Sequence, residues 1–171
     1  RITFFNMLIF TEKHRTDRLF FQIQGNPVRS SRKFKHFKSK INDTGSLSCD
    51  IVRSLYEDRE GELWIGTGVF YSNDSSGGLN RYNRHDGTCT RYLNDPKNPH
   101  SLINNKVRAI FEDSRGIFWV GTADDGLHTM DRKTGRFERH RYDPSRPDQL
   151  SRPAYRPNRY DHITFIMEDG V

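Results

Sequence analysis

Residues 51 to 67 hold two short runs in which apolar and polar positions alternate, split by a polar turn, and the same pattern returns 55 residues later. Ile51 to Thr67 reads IVRSLYEDREGELWIGT and Lys106 to Thr122 reads KVRAIFEDSRGIFWVGT, with eight of seventeen positions identical and no gap. Alternation at a period of two is the signal of a half-buried strand. Between the runs stand Asp58 to Gly61 and Asp113 to Gly116; Asp bonds its own backbone in a turn, and Gly supplies the positive φ that closes it. The pattern therefore predicts hairpins over 51–57 with 62–67, and over 107–112 with 117–122. Beyond them the likeness resumes at an offset of 48: Gly78-Leu79 with Gly126-Leu127, Asp86-Gly87 with Thr134-Gly135, and Asp95-Pro96 with Asp143-Pro144. Strands are predicted at 78–83 and 88–93, and again at 126–131 and 136–142.

Two offsets mean that the first copy carries seven extra residues between Thr67 and Gly78. A third copy opens at Ile163 (ITFIMED), and Phe37 to Leu47 has the spacing of Tyr92 to Leu102, so an earlier copy ends near residue 47. Four short antiparallel strands repeating at about 50 residues, without helical periodicity, are the requirement of a propeller blade, whereas a β-solenoid needs shorter repeats. The expected fold is all-β, a partial β-propeller of four-stranded antiparallel blades. Its expected divisions are a basic lead-in (1–36), the end of a preceding blade with its linker (37–50), and a first full blade (51–94). A linker (95–106), a second full blade (107–142), an Arg- and Pro-rich linker (143–162) and the start of a third blade (163–171) follow.

Composition narrows the class. The chain has 171 residues, a mean hydropathy of −0.89 and 21 aromatic residues, too many for a disordered, solvating segment. Its longest apolar stretch, Ile2 to Phe10, is half of the roughly 20 residues that a membrane-spanning helix needs. The net charge of +6 is unevenly placed, since residues 1–40 hold ten Lys or Arg against Glu12 and Asp17. Such a basic arm suits nucleic acid or anionic lipid, and equally a solvated lead-in. With only Cys49 and Cys89 there is no disulfide framework, and two thiols are expected. A chain that begins at Arg1 and stops at Val171, just after a strand-like run, is expected to be a piece of a longer protein.

The pattern EDxxGxxWxGT followed by GL, in Glu57 to Leu79 and again in Glu112 to Leu127, resembles the two-component regulator propeller repeat, the sensor region of bacterial hybrid two-component systems. The resemblance covers roughly residues 37–171. The third copy departs from it, because Arg152 to His162 is inserted before the strand and the chain ends before its Trp. The resemblance implies a non-catalytic, ligand-sensing propeller on the periplasmic or extracytoplasmic face of the inner membrane, ahead of a membrane helix and histidine kinase. Implied partners are the remaining blades of the parent chain, a carbohydrate or other small ligand, and a second copy in a homodimer.

Candidate residues fall into two groups. Asp58, Gly61, Trp64, Gly66 and Thr67, with Asp113, Gly116, Trp119, Gly121 and Thr122, are read as structural: turn formers, close-approach glycines and Trp plates between blades whose indole N–H groups are bonded nearby. Ligand binding is expected at one rim, where Gly68 to Gly77, Asp95 to Lys106 and Arg152 to His162 are placed as neighbours, since loops on a rigid scaffold carry function. There Tyr71, Asn73 and Asp74 offer a stacking ring and hydrogen bonds to a sugar-like ligand. Arg53 and Arg108 open the innermost strands and offer donors toward the channel, or salt bridges between blades. No cofactor or metal is expected: the seven histidines show no HExxH spacing, there is no CxxC, P-loop or GxSxG, and Asp124-Asp125-Gly126 reads as a turn. The other readings are blades of a propeller lyase or hydrolase, and nucleic-acid binding through residues 1–40 with a steep salt dependence.

Overall fold

A computed structural model describes residues 19–21, 35–69, 75–123, 126–140, 143, 145–146 and 163–169. The basic lead-in falls mostly outside these. The described residues form strands without helices: β1 (Leu19–Phe21), β2 (Lys35–Phe37), β3 (Val52–Glu57), β4 (Leu63–Gly68), β5 (Gly77–Tyr82), β6 (Cys89–Tyr92), β7 (Val107–Glu112), β8 (Phe118–Thr122), β9 (Gly126–Asp131) and β10 (Arg136–His140). Two four-stranded sheets, β3-β4-β5-β6 and β7-β8-β9-β10, pair antiparallel throughout, and β1 and β2 make a separate antiparallel pair. These sheets are two blades of a β-propeller packed face to face.

The turn of each inner hairpin is built on one carboxylate. Asp58 Oδ1 accepts the N–H groups of Glu60 and Glu62 at 3.0 and 2.9 Å, while Oδ2 accepts the Trp64 indole N–H at 2.8 Å. Asp113 repeats this with Arg115 and Ile117 N–H at 3.0 and 2.8 Å and the Trp119 indole at 3.0 Å. A turn that otherwise depends on its own short backbone bonds is thereby locked to the second strand, and the indole is aimed across the sheet.

That direction creates the interface. Trp64, 1% exposed, packs against Phe118 of the next blade with ring centroids 4.7 Å apart and ring planes inclined by 47°. One core runs across both sheets through Trp64, Leu79, Leu102, Val107, Ile110, Phe118, Val120, Met130 and Phe137. The sheets approach closely because Gly66 lacks a side chain: a Cβ there would lie 2.7 Å from Val107 Cγ1. Gly121 stands in the same relation to Ile163, whose Cγ2 would be 2.4 Å from such a Cβ. Residues 163–169 thus lie against the second blade as β7 lies against the first, with Ile163 N–H bonded to Thr122 O at 3.2 Å.

Polar groups close the same interface. Arg132, in the turn between β9 and β10, donates to Asp58 Oδ2 at 2.7 Å and to Glu112 Oε1 at 2.8 Å, and its guanidinium lies 5.4 Å from the Phe118 centroid. Arg59 N–H donates to Glu112 Oε2 at 3.0 Å, and its guanidinium donates to the carbonyls of Ser114 and Asp113. Tyr56 OH reaches the carbonyl of Glu112 at 3.3 Å. Cys49 and Cys89 are buried and form no disulfide.

Burial pushes the Asp58 carboxyl up, but the Trp64 indole, the Glu62 N–H and Arg132 outweigh it and hold the pKa below the usual carboxylate value. Asp113 is held down in the same sense by Trp119 and the Ile117 and Arg115 N–H groups against its own burial. A carboxyl whose pKa is lower folded than unfolded stabilises above the unfolded value and loses that contribution as pH falls through the folded one. Stability of the chain is therefore expected to drop below about pH 4, read by urea denaturation across pH. Asp58→Ala, which leaves Arg132 short of one buried partner and empties the turn, is expected to cost on the order of 3 kcal/mol and to flatten that acid limb.

Candidate functional site

The loop between β4 and β5 springs from a pair of adjacent glycines, and its base is fixed. Gly68 faces Gly77 across the ladder, and a Cβ on Gly77 would come within 2.4 Å of Asn105 O and 2.6 Å of Gly68 Cα. Asn105 Nδ2 donates to Ser75 O at 2.8 Å, and its Oδ1 accepts the Asn94 N–H at 2.6 Å. The loop of extra length is therefore mounted on the end of the linker between blades. Tyr71, Asn73 and Asp74 lie outside the described residues, as do residues 152–162.

Arg53 and Arg108 occupy equivalent irregularities. The register of β3 with β4 shifts between Val52 and Ser54, and that of β7 with β8 between Val107 and Ala109, so each Arg is the extra residue of a β-bulge. Bulges re-aim a side chain beside a site. Immediately above them, Gly68 N–H bonds Ile51 O at 3.0 Å and Ala123 N–H bonds Lys106 O at 2.9 Å, which puts both bulges next to the rim loops. Arg53 is exposed and Arg108 half-buried.

The linker corrects one expectation. Only its ends stay at the rim; the stretch around His100 runs along the outer edge of the second sheet, where Phe137 N–H takes His100 O at 2.8 Å near the β9–β10 turn. The cause is the open edge of β10, whose donors need acceptors. Arg139 secures the arrangement by donating to the carbonyls of Ser101, Leu102 and Asn98 and to Ser101 Oγ. Arg91 does the same for Ser46, Asp43 and Leu47 ahead of the first blade. Residues 95–101 are thus an edge strap and not a wall of the rim.

Two further residues hold the rim end of the linker, and sequence reading passed over them. Asn80 accepts the Ser48 N–H at 2.9 Å and donates to Ile65 O at 3.0 Å. His128, fully buried, occupies the equivalent place: Nδ1 lies 3.2 Å from Val120 O and Nε2 accepts the Ile103 N–H at 3.1 Å. A carbonyl only accepts, so the proton is on Nδ1 and the ring is neutral. The signal was available in the 48-residue offset, which aligns Asn80 with His128, Arg84 with Arg132 and Arg91 with Arg139.

Comparison with known proteins follows the same repeats. Residues 46–68 and 101–124 match the family described as two component regulator propeller. No curated protein matches the chain. Among solved structures, the extracellular domain of BT3049 from B. thetaiotaomicron, described as a hybrid two component system, is 24% identical with a TM-score of 0.55, over 73% of this chain and 17% of that one. The extracellular domain of BT4673 from the same organism, also described as a hybrid two component system, is 21% identical with a TM-score of 0.50, over 74% of this chain and 16% of that one. The chain spans about a sixth of the domains it matches, and the likeness is one of fold.

Because Asn and His do the same work in the two blades, His128→Asn is expected to leave stability within about 1 kcal/mol, whereas His128→Leu strands a buried carbonyl and N–H and costs about 1–3 kcal/mol. Urea denaturation measures both, and amide exchange at Ile103 is expected to quicken only in the Leu variant.

Proposed function

We propose, from two-component regulator propeller repeats at residues 46–68 and 101–124, that this chain is part of the ligand-sensing propeller of a two-component regulator, acting by binding and not by catalysis. The observation that carries the reading is the mounting of the loop at 68–77. It is the one place where the first copy is longer than the second, and its base is pinned by Asn105 beside the bulges that present Arg53 and Arg108. A rigid scaffold with one extended loop and two guanidinium groups suits a hydroxyl-rich or anionic small ligand, a carbohydrate first among them, with Tyr71 stacking and Asn73 and Asp74 bonding hydroxyls. The extracellular domains that share the fold favour an extracytoplasmic place for this one.

In such a sensor, ligand at the rim changes the relative stability of two arrangements of the blades, and the change in population is the signal; this requires unequal affinity for the two. The test is calorimetric titration of the chain with neutral and acidic oligosaccharides. Saturable binding weakened at least tenfold by Tyr71→Ala and by Arg108→Ala is expected. Absence of saturable heat with every oligosaccharide, or binding indifferent to both substitutions, overturns the reading.

A further inference from the structure

Asn80 and His128 hold equivalent backbone in the two blades, but only one of them can take a proton. In the first blade Asn80 Oδ1 accepts the Ser48 N–H at 2.9 Å; 55 residues on, the Ile103 N–H is accepted at 3.1 Å by His128 Nε2. An amide oxygen accepts at any pH, whereas an imidazole nitrogen accepts only while it carries no proton. The linker bond of the second blade is therefore conditional on a neutral ring, and that of the first is not.

His128 is fully buried, with Nδ1 on Val120 O at 3.2 Å and its ring 6.1 Å from the Phe137 ring. Across the ladder to β10 stands Arg139, a cation on the same face of the sheet. β8 opposes the ring with Val120, between the uncharged Phe118 and Thr122. On the first blade's side of the junction, the titratable and charged groups that share the face of Trp64 and Leu79 are Tyr92 and Arg81, with Glu62 4.0 Å from Arg81. The linker brings Leu102 and Ile103, flanked by His100 and Lys106. A proton added at Nε2 turns an acceptor into a donor aimed at another donor, and adds a buried positive charge to the face that Arg139 already shares.

The rim end of the linker depends on the Ile103 bond. Upstream, Arg139 keeps Ser101 and Leu102 by donating to their carbonyls, and Leu102 is fully buried, so the strap is held there without His128. Downstream, Asn105 donates to Ser75 O at the base of the 68–77 loop and accepts the Asn94 N–H. Ile103 lies between these two anchorages.

We propose that His128 is an acid-operated fastener: protonation at Nε2 releases Ile103, and with it the 103–105 segment that mounts the loop at 68–77. The two arrangements are a fastened linker over a neutral ring and a released linker over an imidazolium. Their ratio follows pH because only the released one takes the extra proton. The fastening stabilises above the ordinary histidine value of about 6.5 and is lost as pH falls below it. The inference concerns how the linker is held and is independent of what the loop binds.

The test is amide exchange across the 171-residue chain by NMR, expressed at each pH as protection relative to an unstructured peptide. Between about pH 7.5 and 5.5, a released state that binds one proton with ordinary histidine affinity gains about tenfold. Protection at Ile103 and Asn94 is expected to fall by that factor, while protection at Ser48, held by Asn80, stays constant. His128→Asn, which puts the first blade's side chain in the second, is expected to abolish the fall. Protection at Ile103 that ignores pH overturns the proposal, as does a parallel fall at Ser48 or a fall that persists in His128→Asn. A fall at Ile103 with Asn94 unchanged overturns the release of the loop mount. Ile103 and Ser48 are compared within one molecule, so the result is decisive even if the variant does not fold.

Discussion

A single buried carboxylate joins three levels of this structure. Asp58 closes its own turn through two N–H groups, fixes the tilt of Trp64 through the indole, and receives Arg132 from the neighbouring blade. Burying a carboxylate is costly unless its oxygens are well supplied with donors. Here each oxygen accepts two, and the cost is offset by bonds that also specify geometry. A neutral residue in its place could fill the volume but would say nothing about where the next blade goes. Because Arg132 also reaches Glu112, the two acids of the EDxxG turn act together across a junction, one from each blade.

The division of labour along each blade follows from this. The inner hairpin faces neighbours on both sides and must match them atom by atom, which is why residues 51–67 and 106–122 stay alike. The outer strands mainly complete the sheet and hold the linker, so they drift in length and identity. Even there the drift preserves bonding: Asn80 and His128 differ in shape and charge chemistry, yet each places one acceptor and one donor at the same two backbone groups.

The all-β blade and its four strands were legible in the sequence because period-two alternation, turn residues and an internal repeat all agreed. Trp64 at the junction was legible for the same reason. What the alternation did not contain was direction across the sheet edge. It could not show that residues 95–101 leave the rim to satisfy β10, because an edge's need for acceptors leaves no mark on the spacing of apolar residues. The bulges at Arg53 and Arg108 were equally silent, since a one-residue register shift is a property of the pair of strands and not of either alone. The place of Arg132 was written in the offset of 48, but an arginine at an outer turn looks like solvated surface until its carboxylate partner on the other blade, Asp58, is seen.

The anchoring of each linker to the fourth strand that follows it redraws the unit of the architecture. Arg91 grips residues 43–47 and Arg139 grips 98–102, so a linker is bound more tightly to the blade it enters than to the one it leaves. The segments matched by the family, 46–68 and 101–124, likewise open within the linkers. The module that can be copied, lost or exchanged as a whole therefore runs from just after one fourth strand to the end of the next. A recombination joint at Leu93 delivers a blade with its own strap, whereas one a few residues further on, inside the strap, separates β10 from the carbonyls that cap its edge. Gene duplication in such a protein is constrained less by where strands begin than by where this strap is fastened.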